Sequence, residues 1–315
     1  MPSIPLRLQG LLFKRELTYR TDAVPTAALN GVRLTERLWP VIRVNYAWEN
    51  LREDVDSGTI LPVKGALPRG RNVTLEIPWE VKGAGIDAPA EDGDLLRACG
   101  CTETDGLSLF DYAQASQLHD AGTAYAYAAG MLFKVVGCRG GFRWPIRPGQ
   151  PSIRRYTMRG FLSVEPAPAA LPLITYDTSE PLAGVALTLA VGSWVPRVIS
   201  CEFIQGVEPQ QMDDANDADG IEAFEIGVAR PQFRLSARVP RDGAGIWDQA
   251  AYDPFADAKA MTSRAINLTQ GNVAFNREKL IVTNAYVQAP APVDFNQMAA
   301  FDLVYNLTDW IIRSD

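Results

Sequence analysis

The chain has 315 residues, 47% hydrophobic and 21% charged, with 37 acidic against 30 basic side chains and a net charge of −7. Apolar residues at that density exclude a disordered chain, and the length suffices for two ordinary cores. A negative balance speaks against a grip on nucleic acid by counterion release, and no apolar run approaches the roughly 20 residues that cross a bilayer.

Residues 1–16 set Arg7, Lys14 and Arg15 around a short apolar patch, without a signal-peptide core or cleavage site. This predicts a protein made and kept in a cytoplasm unless lysis releases it. Beyond it, period-2 alternation dominates. It predicts strands over Leu34–Tyr46, Asn72–Val81, Met131–Val136, Gly141–Ile146 and Ser152–Val164. Further strands are predicted over Val185–Val191, Pro196–Gln205, Phe224–Val228, Pro231–Val239, Lys279–Gln288 and Ala300–Leu307. Only Asp92–Cys99 and Pro254–Arg264 read as helices, each with an acidic or proline start suited to an N-terminus. The stretch Glu165–Pro172 is rich in proline and nearly uncharged, which predicts a semi-rigid extended linker.

The second half repeats the first. Val73, Leu75 and Ile77 match Phe233, Leu235 and Ala237 at a constant offset of 160, and Leu95–Ala98 falls on Phe255–Ala258. Later matches drift, with Val135 on Ile281 or Val282 and Met158 near Asp302, so the first copy should hold extra residues around Asp105–Ala128. Charge divides unevenly: residues 1–165 are net +2 and residues 166–315 net −9. The expected fold is all-β with short helices, in two tandem β-sandwich or barrel modules, each with one flanking helix. The division expected is 1–165, a proline-rich linker at 166–180, and 181–315.

Candidate chemistry is sparse. The single histidine, His119, has no G-x-S-x-G nucleophile elbow to serve, and no enzyme is expected. The four cysteines are scattered and read as buried reduced thiols; no metal or cofactor is expected. The glycine-rich runs Lys82–Gly85 and Gly137–Gly141 do not open a helix after a parallel strand as a phosphate cradle would, and they predict turns or bulges. Asp213–Gly220 lacks two essential oxygens of a calcium loop, Ala215 and Ile226 standing at those positions. An acidic connection nevertheless occupies the same place in both copies, about Glu49–Lys64 and Gln205–Gly227. Glu49, Arg52, Glu53, Asp54, Asp56, Asp213, Asp214, Asp217 and Asp219 are therefore the candidate contacts to a neighbouring assembly layer or a lumen.

One resemblance covers roughly residues 14–165. Glu16-Leu17-Thr18-Tyr19-Arg20-Thr21-Asp22-Ala23-Val24-Pro25-Thr26-Ala27-Ala28 resembles an E-x-T-Y-G-T-D-P-x-P-T-A-A signature, with Arg20 and Ala23 in place of its glycine and proline. Gly70–Val81 with the Gly83-Ala84-Gly85 turn and Leu95-Leu96-Arg97-Ala98-Cys99-Gly100, then Val136–Phe142, Pro148–Pro151 and Met158–Phe161, are similar to later motifs of the same family. That family is the major tail tube proteins of long, non-contractile-tailed bacteriophages. The resemblance implies a structural virion protein whose inner sheets join around a ring. Two modules in one chain imply a homotrimer with pseudo-sixfold symmetry, stacked into a tube within the virion tail after assembly in the host cytoplasm. The implied partners are other copies of the chain, a tape measure protein in the lumen, tail terminator and distal tail proteins at the ends, and DNA in transit without specific binding; no membrane is involved. An acidic lumen would repel phosphate. Alternatives are a tail terminator or distal tail ring protein of the same fold, and a carbohydrate-binding or adhesion β-sandwich with Trp39, Trp79, Trp144 and Trp194 as stacking candidates.

Overall fold

A computed structural model describes residues 9–34, 42–50, 66–85, 88–106, 109–176, 180–217, 220–273, 276–288 and 290–314, with backbone alone for 45–50 and 66–70. The fold is all-β, with 54% of the described residues in strands and 5% in two helices. The first half contains β1 (Gly10–Arg15), β2 (Gly31–Val32), β3 (Arg43–Asn50), β4 (Ala66–Glu80), α1 (Gly93–Ala98), β5 (Cys101–Asp105), β6 (Phe110–Gln114), β7 (Gly122–Ala128), β8 (Met131–Ile146) and β9 (Ile153–Leu162). After it come β10 (Ala167–Pro168), β11 (Thr188–Val191), β12 (Val198–Ile204), β13 (Pro209–Asp213), β14 (Ile221–Ile226) and β15 (Gln232–Arg238). The chain ends with α2 (Pro254–Ala260), β16 (Ser263–Val273), β17 (Asn276–Val287), β18 (Ala291–Phe295), β19 (Met298–Leu307) and β20 (Ile311–Ser314).

Every ladder among the described residues is antiparallel, and one order of pairing occurs twice. The first half runs β3-β4-β9-β8-β7-β1. The second runs β12-β15-β19-β17-β16-β11. Equivalent residues make equivalent pairs: Leu75 sits opposite Met158, as Leu235 sits opposite Leu303. Alternation explains the burial, because alternate residues of β4 and β15 turn inward over the matched stretch: Val73, Leu75 and Ile77 are at most 1% exposed, and Phe233, Leu235 and Ala237 at most 2%. Each such aliphatic or aromatic side chain contributes about 1.5–3 kcal/mol by leaving water. The core is continuous across both halves, with Phe142, Phe203 and Trp310 in mutual ring contact at 5.1–6.0 Å.

The helices lie at equivalent positions. Asp253 caps α2 by accepting from the Phe255 and Ala256 amides, with Pro254 opening the helix, as the sequence predicts. The expected end at Arg264 is too late: Met261 turns left-handed at φ 49° and β16 begins at Ser263. Met131–Val136 and Gly141–Ile146, expected as two strands, are one 16-residue strand, β8. The glycine run between them makes a bulge rather than a turn, with Gly137 at φ 63° and the register shifting between Val136 and Arg139.

The residues particular to the first half form the β5–β6 hairpin, which pairs across to β20 at the end of the second half. The proline-rich segment lies extended along the first half. Ala167 and Pro168 pair with Leu132 and Met131, and Ile174 lies so close to Gly10 and Gly31 that an added Cβ would fall 2.6 and 2.4 Å from it. Among the described residues no helix is long and apolar enough to cross a membrane.

Candidate functional site

The two halves meet strand to strand. β8 outruns its hairpin partner β7, and its last four residues pair with β12: Arg143 with Ile204, Trp144 with Phe203, Pro145 with Glu202, and Ile146 with Cys201. One sheet thus runs β3-β4-β9-β8-β12-β15-β19 through the junction. The repeat assigns counterparts to both sides of this seam. β18 pairs with β19 as the end of β8 pairs with β9, Val293 opposite Ala300 corresponding to Arg143 opposite Arg155. Likewise β3 lies on β4, with Val44 opposite Val73, as β12 lies on β15, with Phe203 opposite Phe233. The counterparts are not paired with each other. Among the described residues β18 pairs only with β19 and β3 only with β4, so each leaves one edge open.

Behind the seam lies a buried ionic cluster. Arg154 on β9 is fully buried and donates to Asp92 ahead of α1 and, at 2.5 Å, to Glu278 on β17. Tyr156 donates to Asp92, and Ser314 on β20 donates to Glu278. The guanidinium lies 5.0 Å from the Trp144 ring centroid and 5.7 Å from that of Phe142, which adds cation–π attraction. Burial works to lower the Arg154 pKa, but Asp92, Tyr156 and Glu278 outweigh it and hold the group charged. Burial pushes Glu278 up to about 7 against the opposing pull of Arg154. Asp92 Oδ1 and Arg154 Nε have no hydrogen-bond partner among the described residues. The acidic start of α1 therefore does not cap the helix; it anchors the arginine that ties the halves together.

The segment resembling the tail tube signature is organised around Glu16. Its carboxylate accepts from Thr123 Oγ1 at 2.8 Å, Gly137 N at 2.7 Å and Arg20 N at 2.9 Å. Asp22 accepts from the Val24 amide and the Tyr125 hydroxyl. Arg20 adopts φ 59°, a left-handed backbone at the position where the signature has glycine. Its side chain offsets that strain by donating to Asp217 at 2.6 Å and to the Ile221 carbonyl, and by lying 4.1 Å from the Phe161 ring centroid. Tyr19 accepts from Phe224 N, and Arg139 pairs with Glu225 at 2.7 Å. These contacts, with the apolar cluster of Val136, Phe161, Ile221 and Phe224, dock the β13–β14 hairpin on the first half. The sequence placed that hairpin in an acidic connection but gave no sign of what its inner residues would cover.

Of the predicted site residues, Asp213, Asp214 and Asp217 lie at or near the turn of this hairpin. Asp213 accepts from Gln211, Asp214 from the Asn216 amide, and Asp217 from Arg20. Glu49 lies in β3 opposite Leu67, while Arg52, Glu53, Asp54, Asp56 and Asp219 lie outside the described residues. Of the indoles weighed for sugar stacking, Trp79, Trp144 and Trp194 are at most 6% exposed and pack in the core, and Trp39 lies outside the described residues. His119 is half-buried with Nε2 3.3 Å from the Ala115 carbonyl oxygen. Among the described residues no three His, Cys, Asp or Glu side chains gather as metal ligands.

Fold and seam together define a duplicated, sandwich-like all-β chain whose halves join strand to strand at β8–β12 and at β6–β20, with two counterpart edges of the first junction open among the described residues. No protein-family model and no curated protein matches the chain.

Proposed function

We propose that the chain is a structural ring subunit that builds a tail tube of the kind made by long, non-contractile-tailed phages. The observation that carries this reading is the β8–β12 seam and its missing repeat. Inside the chain, the first module offers the end of β8 and the second accepts it with β12. The second module offers β18, and the first has β3 to accept it, but these edges belong to opposite ends of the joined sheet. A second copy supplies the partner. Val293–Phe295 of one copy then pairs with Arg43–Asn45 of the next, by the register that joins Arg143–Pro145 to Glu202–Ile204. Edges that would otherwise template aggregation become internal, and repeating the step closes a ring. Three copies give six modules and the pseudo-sixfold ring.

Stacked rings would enclose a channel for the tape measure protein and then DNA. The acidic turn at Asp213 and Asp214 and the connection carrying Arg52, Glu53, Asp54 and Asp56 are the candidate contacts between rings. Electron microscopy of the purified chain tests the reading: tubes of stacked rings support it, single rings alone point to a terminator or distal tail role, and monomers at all concentrations refute it.

A further inference from the structure

The face of the joined sheet opposite the core carries an arginine track. Two open grooves of about 660 and 750 Å³ cross β9, β8, β12 and the strands beside them. Their walls hold Arg143, Arg147, Arg155, Arg159, Arg230 and Arg234, against Glu202, Glu208 and Asp302 as the only carboxylates among the described residues. That is an excess of three positive charges in a chain whose net charge is −7. Both grooves are lined by Arg143 and Arg155, so they form one trough.

Elsewhere in the molecule Arg264 is bidentate to Asp257 and Arg313 to Asp111. In the trough Arg143, Arg147, Arg159, Arg230 and Arg234 form no salt bridge among the described residues. Arg143 and Arg155 are directly opposed in the β8–β9 ladder, an arrangement that like charge disfavours and a bridging anion relieves. The only aromatic in the lining, Phe142, is 4% exposed, so the trough has guanidinium groups for phosphates and no platform on which unpaired bases could stack.

We propose that this trough binds duplex DNA through its phosphate backbone, without sequence preference. The site lies within one chain and does not depend on ring closure. Net charge hides it, because 34 of the 37 acidic residues lie outside the lining.

Fluorescence anisotropy with a labelled random duplex of about 30 base pairs tests the proposal, with light scattering on the same samples to record assembly separately. About four phosphate contacts predict that affinity falls roughly a hundredfold between about 50 and about 200 mM salt. The triple variant R143E/R159E/R234E, changed at exposed positions only, should lose binding while its circular dichroism melt stays unchanged. The milder R143Q/R159Q/R234Q serves if charge reversal prevents folding, and should weaken binding at least tenfold. No binding by the folded wild type at the lower salt, or unchanged affinity in the folded variants, would overturn the proposal. Equal affinity for polyglutamate of matched charge, or for a single strand, would overturn the assignment to duplex DNA.

Discussion

Replacing Arg154 by methionine removes one guanidinium from a place where no water can substitute for it. Arg154, Asp92 and Glu278 are all at most 1% exposed, and the arginine is the only cation bonded to either carboxylate among the described residues. Arg154→Met keeps the volume and leaves both acids buried without a counter-charge, a change that costs about 3–5 kcal/mol. Glu278→Met alone leaves Arg154 its Asp92 partner and should cost less. The double variant then restores part of the loss, with a coupling energy of about 2 kcal/mol. For a chain of this size, 3–5 kcal/mol lowers the melting temperature by roughly 5–8 °C. Urea unfolding at about pH 8 and fixed protein concentration, followed by tryptophan fluorescence, measures all four corners of the cycle. A loss under about 1 kcal/mol for Arg154→Met, or strict additivity of the two changes, would refute the reasoning.

The same cluster gives a pH signature. Glu278 has a folded pKa of about 7, above its ordinary 4.5, so the folded state holds that proton more tightly and the stabilisation is fully present below pH 4.5. It is lost as pH rises through about 7, and Glu278→Gln should flatten this part of the stability profile. At the signature, Glu16→Gln turns an amide toward donors that now meet a carboxylate, and should cost about 1–3 kcal/mol in urea unfolding. The four thiols are buried, and burial raises each pKa, that of Cys201 to about 12. A thiol reagent at about pH 8 should therefore modify none of them in the native protein and all four after denaturation.

Much of this architecture was legible because one face of each sheet is buried. Val73, Leu75 and Ile77, like Phe233, Leu235 and Ala237, alternate with polar neighbours, so both strand and repeat show in the sequence. Strands without that contrast were missed. β7 reads Gly-Thr-Ala-Tyr-Ala-Tyr-Ala, and six of its seven residues are buried, so small alanines and tyrosines line both faces. β1 presents consecutive Leu11, Leu12 and Phe13, all buried, which reads only as an apolar patch. The candidate site was less visible still. Long-range partners such as Arg20 with Asp217, or Arg154 with Glu278, are 197 and 124 residues apart and leave no local pattern. The arginine track is likewise assembled by register, from single residues on separate strands.

Ring closure requires an intermolecular copy of the β8–β12 seam, and oxidative cross-linking reads it directly. Val44→Cys and Asp294→Cys stand at the counterparts of Phe203 and Trp144, which are paired inside the chain. Under mild oxidation the double variant should give linear dimers and then a covalent trimer as its largest species, while either single variant gives none of these. Cross-links confined within one chain, or absent from an assembled sample, would contradict the account.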